Sequence, residues 1–325
     1  MATLFSRDDL QALRALRATL IALEDRPVGE RAPRYWGSRH DVSLYDRVFG
    51  ARIGWKWEAV LDEIDARADL PAPRTILDWG AGTGVATRAL LRRIEAPERV
   101  TLFDRDETAL AYAADAVRGA HPGIDVQTTS EPPPGPFDLA LASHVLDELE
   151  DDEVDGLLGT FRQADEVVWV EPGSRRTSRR LSAARDALID EFDVVAPCTH
   201  RQACGMLAEG RERDWCHLFA RPPAEVHTTA EWTQVGRELG IDLRSLPYAF
   251  LALRRAPVPH PDAARLLGRP RVQKGRALVD LCDADGVRGD QIPQRADRAF
   301  FKSLKDTRGT SILLRVDGRD VVRVL

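Results

Sequence analysis

The sequence predicts an α/β fold in which a doubly wound parallel sheet forms the centre of the protein. Three observations point to this class. An apolar strand at 75–79 leads into a glycine-rich turn and then a helical pattern. Further apolar runs alternate with helical patterns as far as residue 170, and Asp104 ends the second of these runs. Strands and helices that alternate in this way form parallel sheets, whose ligands bind beyond the carboxyl ends of the strands.

The segment before this sheet, residues 1–70, is predicted to be an N-terminal helical region. Ser6 and Asp9 fit a capping box, and leucines then recur on one helical face from Leu10 to Leu23. Residues 26–57 interleave basic and aromatic side chains, a pattern that can bind single-stranded nucleic acid. The alternative, which we favour, is a helical cap whose aromatic side chains belong to the core.

The glycine-rich turn over 78–84 has the order Asp-Trp-Gly-Ala-Gly-Thr-Gly. A dinucleotide-binding fingerprint would place a small residue at position 85, where this chain has Val85. The acidic-x-Gly-x-Gly-x-Gly order instead resembles the first motif of class I S-adenosylmethionine (SAM) methyltransferases. Residues 71–255 are therefore predicted to form a Rossmann-like domain of the SAM-methyltransferase type, which includes a cysteine-rich segment at 196–220.

The remaining elements of this domain follow from apolar runs and helical periodicity. Strands are predicted at 99–104, 124–128, 137–142 and 167–170. Helices are predicted at 84–94, 106–118, 151–163 and 177–190. Two further strands are expected at 192–196 and 246–253, and the second of them is the last strand of the sheet.

A SAM ligand in this fold would contact residues at the ends of the first, second and fourth strands. Asp104 is positioned to accept hydrogen bonds from ribose hydroxyls, and Asp78 to receive the amino group, directly or through water. Ser143 and His144 end the fourth strand, where the methyl group would lie. His144 could act as a base, although a hydrogen bond to backbone is the interpretation we favour. The predicted SAM contacts are Asp78, Gly80, Gly82, Gly84, Asp104 and Ser143.

The cysteines form a second candidate site. None of the four lies in the first 197 residues, and three fall in a polar segment without regular pattern. Four thiolates are enough for a four-iron cluster or for a tetrahedral zinc ion. Four buried cysteines without a ligand are the alternative, which the polar surroundings of three of them disfavour. The candidate ligands are Cys198, Cys204, Cys216 and Cys282, with His200 and His217 as substitutes.

Basic charge is concentrated towards the C-terminal end of the chain. Residues 251–325 carry 16 Lys and Arg against 9 Asp and Glu, whereas the whole chain has a net charge of −6. This asymmetry indicates an anionic partner such as RNA, whose phosphates bind basic surfaces. The predicted RNA contacts are Arg175–Arg180 and, near the C-terminus, Arg265, Arg269, Arg271, Lys274 and Arg276.

Residues 256–325 are predicted to form a small β-rich unit. A hairpin is expected around Asp285-Gly286, a helix over 297–305 and a final strand over 321–325. No apolar run reaches the ~18 residues of a membrane span, and no secretory signal opens the chain. A cytoplasmic location without a membrane partner is therefore the expectation.

Six motifs occur in order between residues 70 and 310. They are Leu77-Asp-Trp-Gly-Ala-Gly-Thr-Gly84, Ala142-Ser-His-Val-Leu-Asp-Glu-Leu149, Val170-Glu-Pro-Gly173, Ala196-Pro-Cys-Thr-His200, Asp214-Trp-Cys-His217 and Lys274-Gly-Arg-Ala-Leu-Val-Asp-Leu-Cys282. Together they resemble the methyltransferase-like assembly factors of the small ribosomal subunit, a family of mitochondria with bacterial relatives. The cysteine motifs are the most specific part of this resemblance.

The resemblance implies a SAM-binding fold, a [4Fe–4S] cluster on the four cysteines and association with small-subunit ribosomal RNA. Thr199 and Gly205 depart from it, because each stands where proline is usual after a cysteine. Every thiolate of the family pattern is kept.

The leading hypothesis is a SAM-binding, iron–sulfur methyltransferase-like protein that acts on or with small-subunit ribosomal RNA during ribosome assembly. Whether it transfers a methyl group is open, and no catalytic residue is assigned. The two alternatives are a non-catalytic assembly factor and a small-molecule methyltransferase with a structural zinc ion. The basic C-terminal unit speaks against the small-molecule alternative.

Overall fold

The computed structural model describes residues 5–24, 26, 35–305, 312–317 and 320–323. Contacts between residues divide the chain into two compact units. The first unit comprises Met1–Glu58, Pro71–Asp165 and Arg221–Leu246, and the second comprises Ala59–Leu70, Glu166–Ala220 and Pro247–Leu325. Within the described ranges, no helix is long and apolar enough to cross a membrane. The three-segment organisation at 1–70, 71–255 and 256–325 stays a prediction.

Helices precede the sheet, as the sequence predicts. They span Arg7–Glu24 (α1), Arg39–Tyr45 (α2) and Ala51–Arg67 (α3), and a π-helical turn over Asp46–Gly50 joins the last two. Leu13 of α1 and Val48 of the π-helical turn belong to one apolar cluster. Tyr45 and Trp57 are buried, which agrees with the helical cap favoured for residues 26–57. Residues 27–34 of that segment lie outside the described residues.

The first unit contains four parallel strands in the order β3-β2-β1-β4. They span Thr75–Trp79 (β1), Arg99–Phe103 (β2), Asp125–Thr129 (β3) and Phe137–Ser143 (β4). The helices that follow β1, β2 and β4 span Val85–Leu91 (α4), Glu107–Ala120 (α5) and Asp151–Phe161 (α6). Each begins within a residue of its predicted start. This order and alternation confirm the predicted Rossmann-like fold of the class I methyltransferase type.

The second unit contains antiparallel strand pairs. They span Ala164–Pro172 (β5), Asp193–Ala196 (β6), Leu218–Ala220 (β7) and Leu246–Arg254 (β8). β8 is antiparallel to both β5 and β6, and β7 also pairs with β8. The prediction of a wholly parallel sheet is therefore wrong for β8. A strand buried on both faces is a continuous apolar run, which carries no signal of strand direction.

Two further helices lie between these strands in the chain. The helix Arg175–Leu188 (α7) begins at Ser174, whose side chain accepts a hydrogen bond from the backbone N–H of Thr177. The helix Ala230–Leu239 (α8) belongs to the first unit, and its Val235 joins the apolar cluster of Leu13. The sequence prediction has no counterpart of α8.

The C-terminal part of the second unit is a five-stranded antiparallel sheet in the order β11-β10-β9-β12-β13. Its strands span Ala264–Gln273 (β9), Arg276–Asp283 (β10), Gly286–Pro293 (β11), Leu313–Asp317 (β12) and Asp320–Arg323 (β13). The helix Arg298–Ser303 (α9) packs Phe300 and Phe301 into the core of this sheet. The predicted hairpin and helix are confirmed, whereas β9 and β12 are additional. Residues 324–325 of the predicted final strand lie outside the described residues.

Candidate cofactor pocket and cysteine site

The turn after β1 is built from glycines with positive φ. The φ angles of Gly80, Gly82 and Gly84 are 69°, 52° and 72°, in the left-handed region that favours glycine. A Cβ on Gly80 would lie 2.6 Å from Cγ1 of Val145, so a larger residue does not fit there. A Cβ on Gly82 would meet no atom nearer than 4.0 Å, because this position faces a pocket.

This pocket, which we call the glycine-turn pocket, has a volume of about 400 Å³. Small-molecule sites commonly span ~300–1,000 Å³ and are lined mainly by apolar and aromatic side chains. The predicted SAM contacts Gly80, Gly82, Asp104 and Ser143 line it. Five aromatic side chains also line it: Tyr35, Trp36, Tyr45, Trp79 and Phe103. Its size and lining suit a nucleoside-like ligand.

Two buried polar atoms in the pocket lining have no hydrogen-bond partner among the described residues. They are Nε1 of Trp79 and Oγ1 of Thr83. A buried donor or acceptor left without a partner costs about 1–3 kcal/mol. A bound ligand with polar atoms at these positions would remove that cost, so the pocket fits a cofactor such as SAM.

Asp104 is held at the edge of the pocket by backbone hydrogen bonds. Its Oδ2 accepts from the N–H of Gly82 at 2.8 Å, and its Oδ1 accepts from the N–H of Asp106 at 2.9 Å. Burial raises the pKa of Asp104, while these two hydrogen bonds oppose the rise. Each oxygen has a further lone pair for a ligand hydroxyl. The geometry is therefore compatible with the predicted ribose contact.

Asp78 and Gly84, unlike the other predicted contacts, are not among the residues that line the glycine-turn pocket. Asp78 is fully buried, and its Oδ2 accepts from Oγ1 of Thr87 at 2.7 Å and from the N–H of Thr87 at 3.3 Å. Burial raises the pKa of Asp78 to about 6, against the effect of Thr87. A Cβ on Gly84 would lie 3.1 Å from Cβ of Ala113. Asp78 therefore holds α4 beneath the turn, and Gly84 allows close packing against α5, while the ligand contacts predicted for both residues stay predictions.

Ser143 and His144 form a chain of side-chain contacts at the end of β4. Nε1 of Trp57 donates to Oγ of Ser143 at 2.9 Å. The same Oγ lies 3.3 Å from Nδ1 of His144. Nζ of Lys56 lies 3.0 Å from Nε2 of His144. An ammonium group only donates, so Nε2 accepts and the ring proton is on Nδ1. The His144 ring therefore has side-chain partners, in place of the backbone contact favoured from the sequence.

The protonation of His144 argues against its use as a base. Burial lowers its pKa well below the ordinary value, and the charge of Lys56 lowers it further. A general base works best when its pKa lies near the working pH. His144 also has a φ of 58°, an uncommon conformation that clusters at functional sites. The structure thus places the His144 ring between Lys56 and Ser143.

The sequence prediction missed an acidic group in the pocket lining. Oε1 of Glu148 accepts from the hydroxyl of Tyr35 at 2.8 Å, and Oε2 accepts from Nη2 of Arg105 at 3.0 Å. Burial raises the pKa of Glu148, while these two partners oppose the rise. The only sequence signal was its place in the motif that follows β4. Its partners come from distant segments and give no local pattern.

The four predicted cysteine ligands come from separate segments of the second unit. Cys198 follows β6, Cys204 precedes a 3₁₀ turn, Cys216 precedes β7 and Cys282 lies in β10. All are free and partly buried. Burial raises the pKa of Cys216 well above its ordinary value, and the other three thiols raise it further. Burial also raises the pKa of Cys282 to about 12. The cysteines are thus neighbours, and we call their meeting place the cysteine site.

The two histidines considered as substitute ligands differ in position. Nε2 of His200 lies 3.7 Å from Sγ of Cys282. His217 stacks on Trp215, with ring centroids 5.1 Å apart. Among the described residues, no three His, Cys, Asp or Glu side chains are grouped closely enough to hold one metal ion. His200 therefore contacts a cysteine side chain, whereas His217 contacts Trp215.

Three buried arginines belong to the cysteine site. Arg67 donates from Nη2 to the carbonyl oxygen of Cys198 at 2.6 Å, and Arg185 donates from Nη2 to that of His200 at 2.9 Å. Arg265 forms an ion pair with Glu63. Since Arg265 is only 2% exposed, the prediction that it contacts RNA is wrong. A buried thiolate or an anionic group bound by thiolates would be attracted by these charges.

The pKa values of these arginines are affected by burial and by the cysteines beside them. Burial lowers the pKa of Arg67 to about 10 and that of Arg265 to about 9, against the nearby charges of Cys198 and Cys282. Burial also disfavours the charge of Arg185, but Cys198 and Asp186 outweigh it and raise its pKa. All three stay protonated at physiological pH. The donor set of four thiols among cations fits an anionic metal–sulfur group.

Gly205 explains one departure from the resembled family. A Cβ at this position would lie 2.9 Å from the backbone N of Val287 and 3.0 Å from Cα of Gly286. Proline carries a Cβ and would not fit against this β10–β11 turn. The segment after Cys204 thus approaches the hairpin that carries Cys282 because residue 205 has no side chain.

The basic residues predicted to bind RNA fall into two groups. In α7, Arg179 donates from Nη1 to the carbonyl oxygens of Met206, Arg211 and Asp214 at 2.8–2.9 Å, so it holds the cysteine-rich segment. On the β9–β10 hairpin, the predicted contacts Arg269, Arg271, Lys274 and Arg276 are all exposed. The β9–β10 hairpin is therefore the more accessible of the two basic regions.

Comparison with protein families gives one match over most of the chain. Residues 52–309 match the family described as Rsm22, mitochondrial small ribosomal subunit Rsm22. This range contains the glycine turn and all four cysteines. No curated protein matches the chain.

Solved methyltransferases resemble the chain only distantly. The magnesium protoporphyrin IX methyltransferase of Synechocystis with bound SAM is 14% identical, with a TM-score of 0.41, over 78% of this chain and 100% of that one. A SAM dependent methyltransferase from Aquifex aeolicus is 13% identical, with a TM-score of 0.41, over 68% and 100%. At this level of similarity, neither match bears on function.

Proposed function

Because the chain belongs to the Rsm22 family of mitochondrial small ribosomal subunit proteins, we propose that it associates with the small ribosomal subunit and binds SAM and a four-iron cluster. The glycine-turn pocket is the observation that carries the SAM-binding part of this proposal. The cysteine site supports the cluster, and the exposed basic hairpin supports contact with ribosomal RNA.

In this proposal the aromatic lining of the glycine-turn pocket stacks against the adenosine part of SAM. Asp104 accepts from the ribose hydroxyls with the lone pairs that its backbone contacts leave unused. Gly82 lets the ligand approach the backbone closely. Asp78 and Gly84 act indirectly, since they hold the turn on α4.

The end of β4 would face the methyl group that SAM supplies when bound. Oγ of Ser143 accepts from Trp57 and from His144, which directs the hydroxyl proton of Ser143 elsewhere. Because both Ser143 and His144 line the pocket, we propose that Ser143 donates this hydrogen bond to a methyl-accepting group. Methyl transfer needs mainly proximity and alignment, so no acid–base pair is required. In the non-catalytic alternative, the same pocket holds SAM as a structural ligand.

The cysteine site supports a [4Fe–4S] cluster over a single zinc ion. Bonds of about 2.3 Å would bring the thiolates of a tetrahedral zinc site to within about 3.8 Å of one another. A four-iron cluster binds each cysteine at a different iron, so its thiolates stand further apart. The motifs that contain Cys198, Cys204, Cys216 and Cys282 resemble those of a family with such a cluster, and this resemblance favours the cluster.

The β9–β10 hairpin supports binding to RNA phosphates. Its exposed basic side chains are Arg269, Arg271, Lys274 and Arg276. Such side chains neutralise phosphates and release counterions, which makes binding strongly salt-dependent. Contacts of this kind position a protein on RNA without reading its sequence.

SAM binding is tested by replacing Gly82 with Ala. The added methyl group would enter the pocket, so Kd for SAM should rise roughly tenfold, equal to about 1.4 kcal/mol. Equilibrium dialysis with labelled SAM measures this. Gly240→Ala is the matched control, because Gly240 also has a positive φ, of 61°, a Cβ there meets no atom within 4 Å, and the residue does not line the pocket. Failure of the unmodified protein to bind SAM would contradict the proposal.

The cluster is tested by metal analysis of protein purified without oxygen. The protein should be brown and contain about four iron and four sulfide per chain. Cys282→Ser should lose the cluster as fully as Cys198→Ser does. A colourless protein with one zinc ion would favour the structural-zinc alternative instead.

Association with the ribosome is tested with purified immature and mature small subunits. Binding should weaken steeply with salt, and Arg271→Gln should reduce the slope of log K against log salt by about 1. Arg99→Gln, at an exposed pair with Asp125, is the control and should leave the slope unchanged. Transfer of label from SAM to RNA would establish the enzyme. Binding without any label in RNA would establish the non-catalytic factor.

A further inference from the structure

The cysteine site contains more buried positive charge than its protein partners neutralise. We propose that Arg67, Arg185 and Arg265 form a cationic shell that raises the reduction potential of the cluster on the four cysteines. This inference rests on the proposed cluster and assigns a role to residues outside the cysteine motifs.

Each arginine of the shell has a buried donor without an acceptor. The side chains of Arg67, Arg185 and Arg265 are at most 5% exposed. Their Nε atoms are buried and have no hydrogen-bond partner within the part of the chain that the structure describes. An unmet donor on a charged group is costlier than one on a neutral group. Three such donors beside four thiols indicate a site built around an anion.

The carboxylates in the shell do not balance its charge. Glu63 pairs with Arg265, and Nη1 of Arg67 lies 3.5 Å from Oε1 of the same carboxylate. Asp186 pairs with Arg185 and also accepts from the backbone N–H of Cys204 at 2.9 Å. These contacts join three guanidinium groups to two carboxylates. The remaining positive charge lies beside the cysteines, because Arg67 donates to the carbonyl oxygen of Cys198 at 2.6 Å and Arg265 is the partner of Cys282 in the β9–β10 register.

Arg185 is the central member of the shell. Its Nη2 donates to the carbonyl oxygen of His200 at 2.9 Å, and Nε2 of His200 lies 3.7 Å from Sγ of Cys282. One-electron reduction adds one negative charge to a cluster, without making or breaking a bond at these residues and without moving a proton. A nearby cation stabilises the more negative, reduced form. The shell therefore shifts the cluster towards reduction, since net charge is one determinant of cluster potential.

The test is a potentiometric titration of the full-length protein carrying its cluster, with dithionite as the electron donor. The electron paramagnetic resonance signal of the reduced cluster gives the midpoint potential. Arg185→Gln should lower the equilibrium constant for reduction about tenfold, which is about 59 mV for a one-electron couple. Arg185→Lys keeps the charge and should restore most of this shift. An unchanged midpoint in Arg185→Gln with full cluster content would overturn the inference.

Arg179→Gln is the matched control on the same helix. Arg179 holds the cysteine-rich segment through carbonyl contacts, so its loss should reduce cluster content while leaving the midpoint unchanged. An equal shift in Arg179→Gln would show that loop geometry, and not charge, sets the potential. If Arg185→Gln retains no cluster, Arg67→Gln replaces it, because the Arg265–Glu63 pair then stays intact.

Different results would contradict the proposed cluster and the proposed cationic shell. A wild-type protein that takes up no iron and sulfide contradicts the proposed cluster. A wild-type protein with a normal cluster whose midpoint is insensitive to both Arg185→Gln and Arg67→Gln contradicts the shell alone.

Discussion

The glycine-turn pocket and the cysteine site differ in the buried groups that they leave without a partner. In the pocket, these groups are neutral, namely the indole N–H of Trp79 and the hydroxyl of Thr83. At the cysteine site, they are guanidinium nitrogens of Arg67, Arg185 and Arg265. A neutral buried group without a partner costs about 1–3 kcal/mol, and a buried donor on a charged group costs more.

This difference indicates how each site behaves without its ligand. In the pocket, burial lowers the pKa of His144, and the carboxylates of Glu148 and Asp104 accept hydrogen bonds from side chains or from backbone N–H groups. A ligand such as SAM would provide partners for the neutral groups that lack them. At the cysteine site, by contrast, an anionic ligand would complete the charge balance. Stability of the second unit should therefore respond more strongly to changes of charge.

The largest effect should come from Glu63, the counter-ion of Arg265. Both side chains are 2% exposed. Glu63→Gln leaves the guanidinium group buried without its carboxylate, so the free energy of unfolding of the iron-free protein should fall by about 3–5 kcal/mol. Urea denaturation followed by circular dichroism measures this change.

A double substitution provides the control. Glu63→Leu combined with Arg265→Met removes both charges of this pair and should recover part of the lost stability, since apolar replacements of buried pairs are often neutral but Arg67 also loses its contact with Glu63. A loss below about 1 kcal/mol in Glu63→Gln would be typical of a solvent-exposed pair. That result would mean that buried charge does not distinguish the cysteine site from the glycine-turn pocket.

A smaller effect is expected at Asp78 in the first unit, where a buried carboxyl group destabilises the folded state when it ionises. Its folded-state pKa is raised from 3.8 to about 6 by burial. The folded protein therefore keeps a proton that the unfolded chain loses in this pH window. Since the folded state binds more protons there, the free energy of unfolding falls as pH rises from about 4 to 6. At pH 7 the loss should be about 3 kcal/mol.

Asp78→Asn removes this ionisation and should flatten the pH dependence. The free energy of unfolding of the variant should exceed that of the wild type by more at pH 7 than at pH 4.5. Urea denaturation at both pH values measures the difference. The same slope in both proteins would mean that Asp78 is not the buried acid that destabilises the first unit.

Much of the first unit could be predicted because its signals are local in the chain. The strand β1, the glycine turn and α4 lie within residues 75–91, and Asp104 directly follows β2. Each boundary is marked by an apolar run, a glycine or a helix start. The direct role expected for Asp78 stays a prediction. Sequence spacing places it at the strand end, but the side chain turns towards Thr87 on α4.

The environment of the cysteine site could be predicted only in part. The four thiols were visible as residue types, whereas the arginines reach them across long separations. Arg67 contacts a carbonyl 131 residues away, and Arg265 pairs with a carboxylate 202 residues away. Only Arg185 has a local signal, because it lies between the buried Leu181 and Leu188 of α7. A charged residue on the buried face of a helix indicates a buried partner.

The smallest effect should come from two aspartates that cap helices, one in each unit. The side chain of Asp106 accepts from two backbone N–H groups at the start of α5, and that of Asp297 does the same at the start of α9. Alanine at either position removes the cap and should lower the free energy of unfolding by about 1 kcal/mol. Urea denaturation tests whether the two losses are alike.

Only one of these caps is also connected to the glycine-turn pocket. The backbone N–H of Asp106 donates to Oδ1 of Asp104 at 2.9 Å. Asp106→Ala frees the start of α5, so it should loosen this contact and raise Kd for SAM about threefold, or ~0.6 kcal/mol. Asp297→Ala should leave Kd unchanged at the same loss of stability. If both variants lost SAM affinity equally, affinity would follow overall stability.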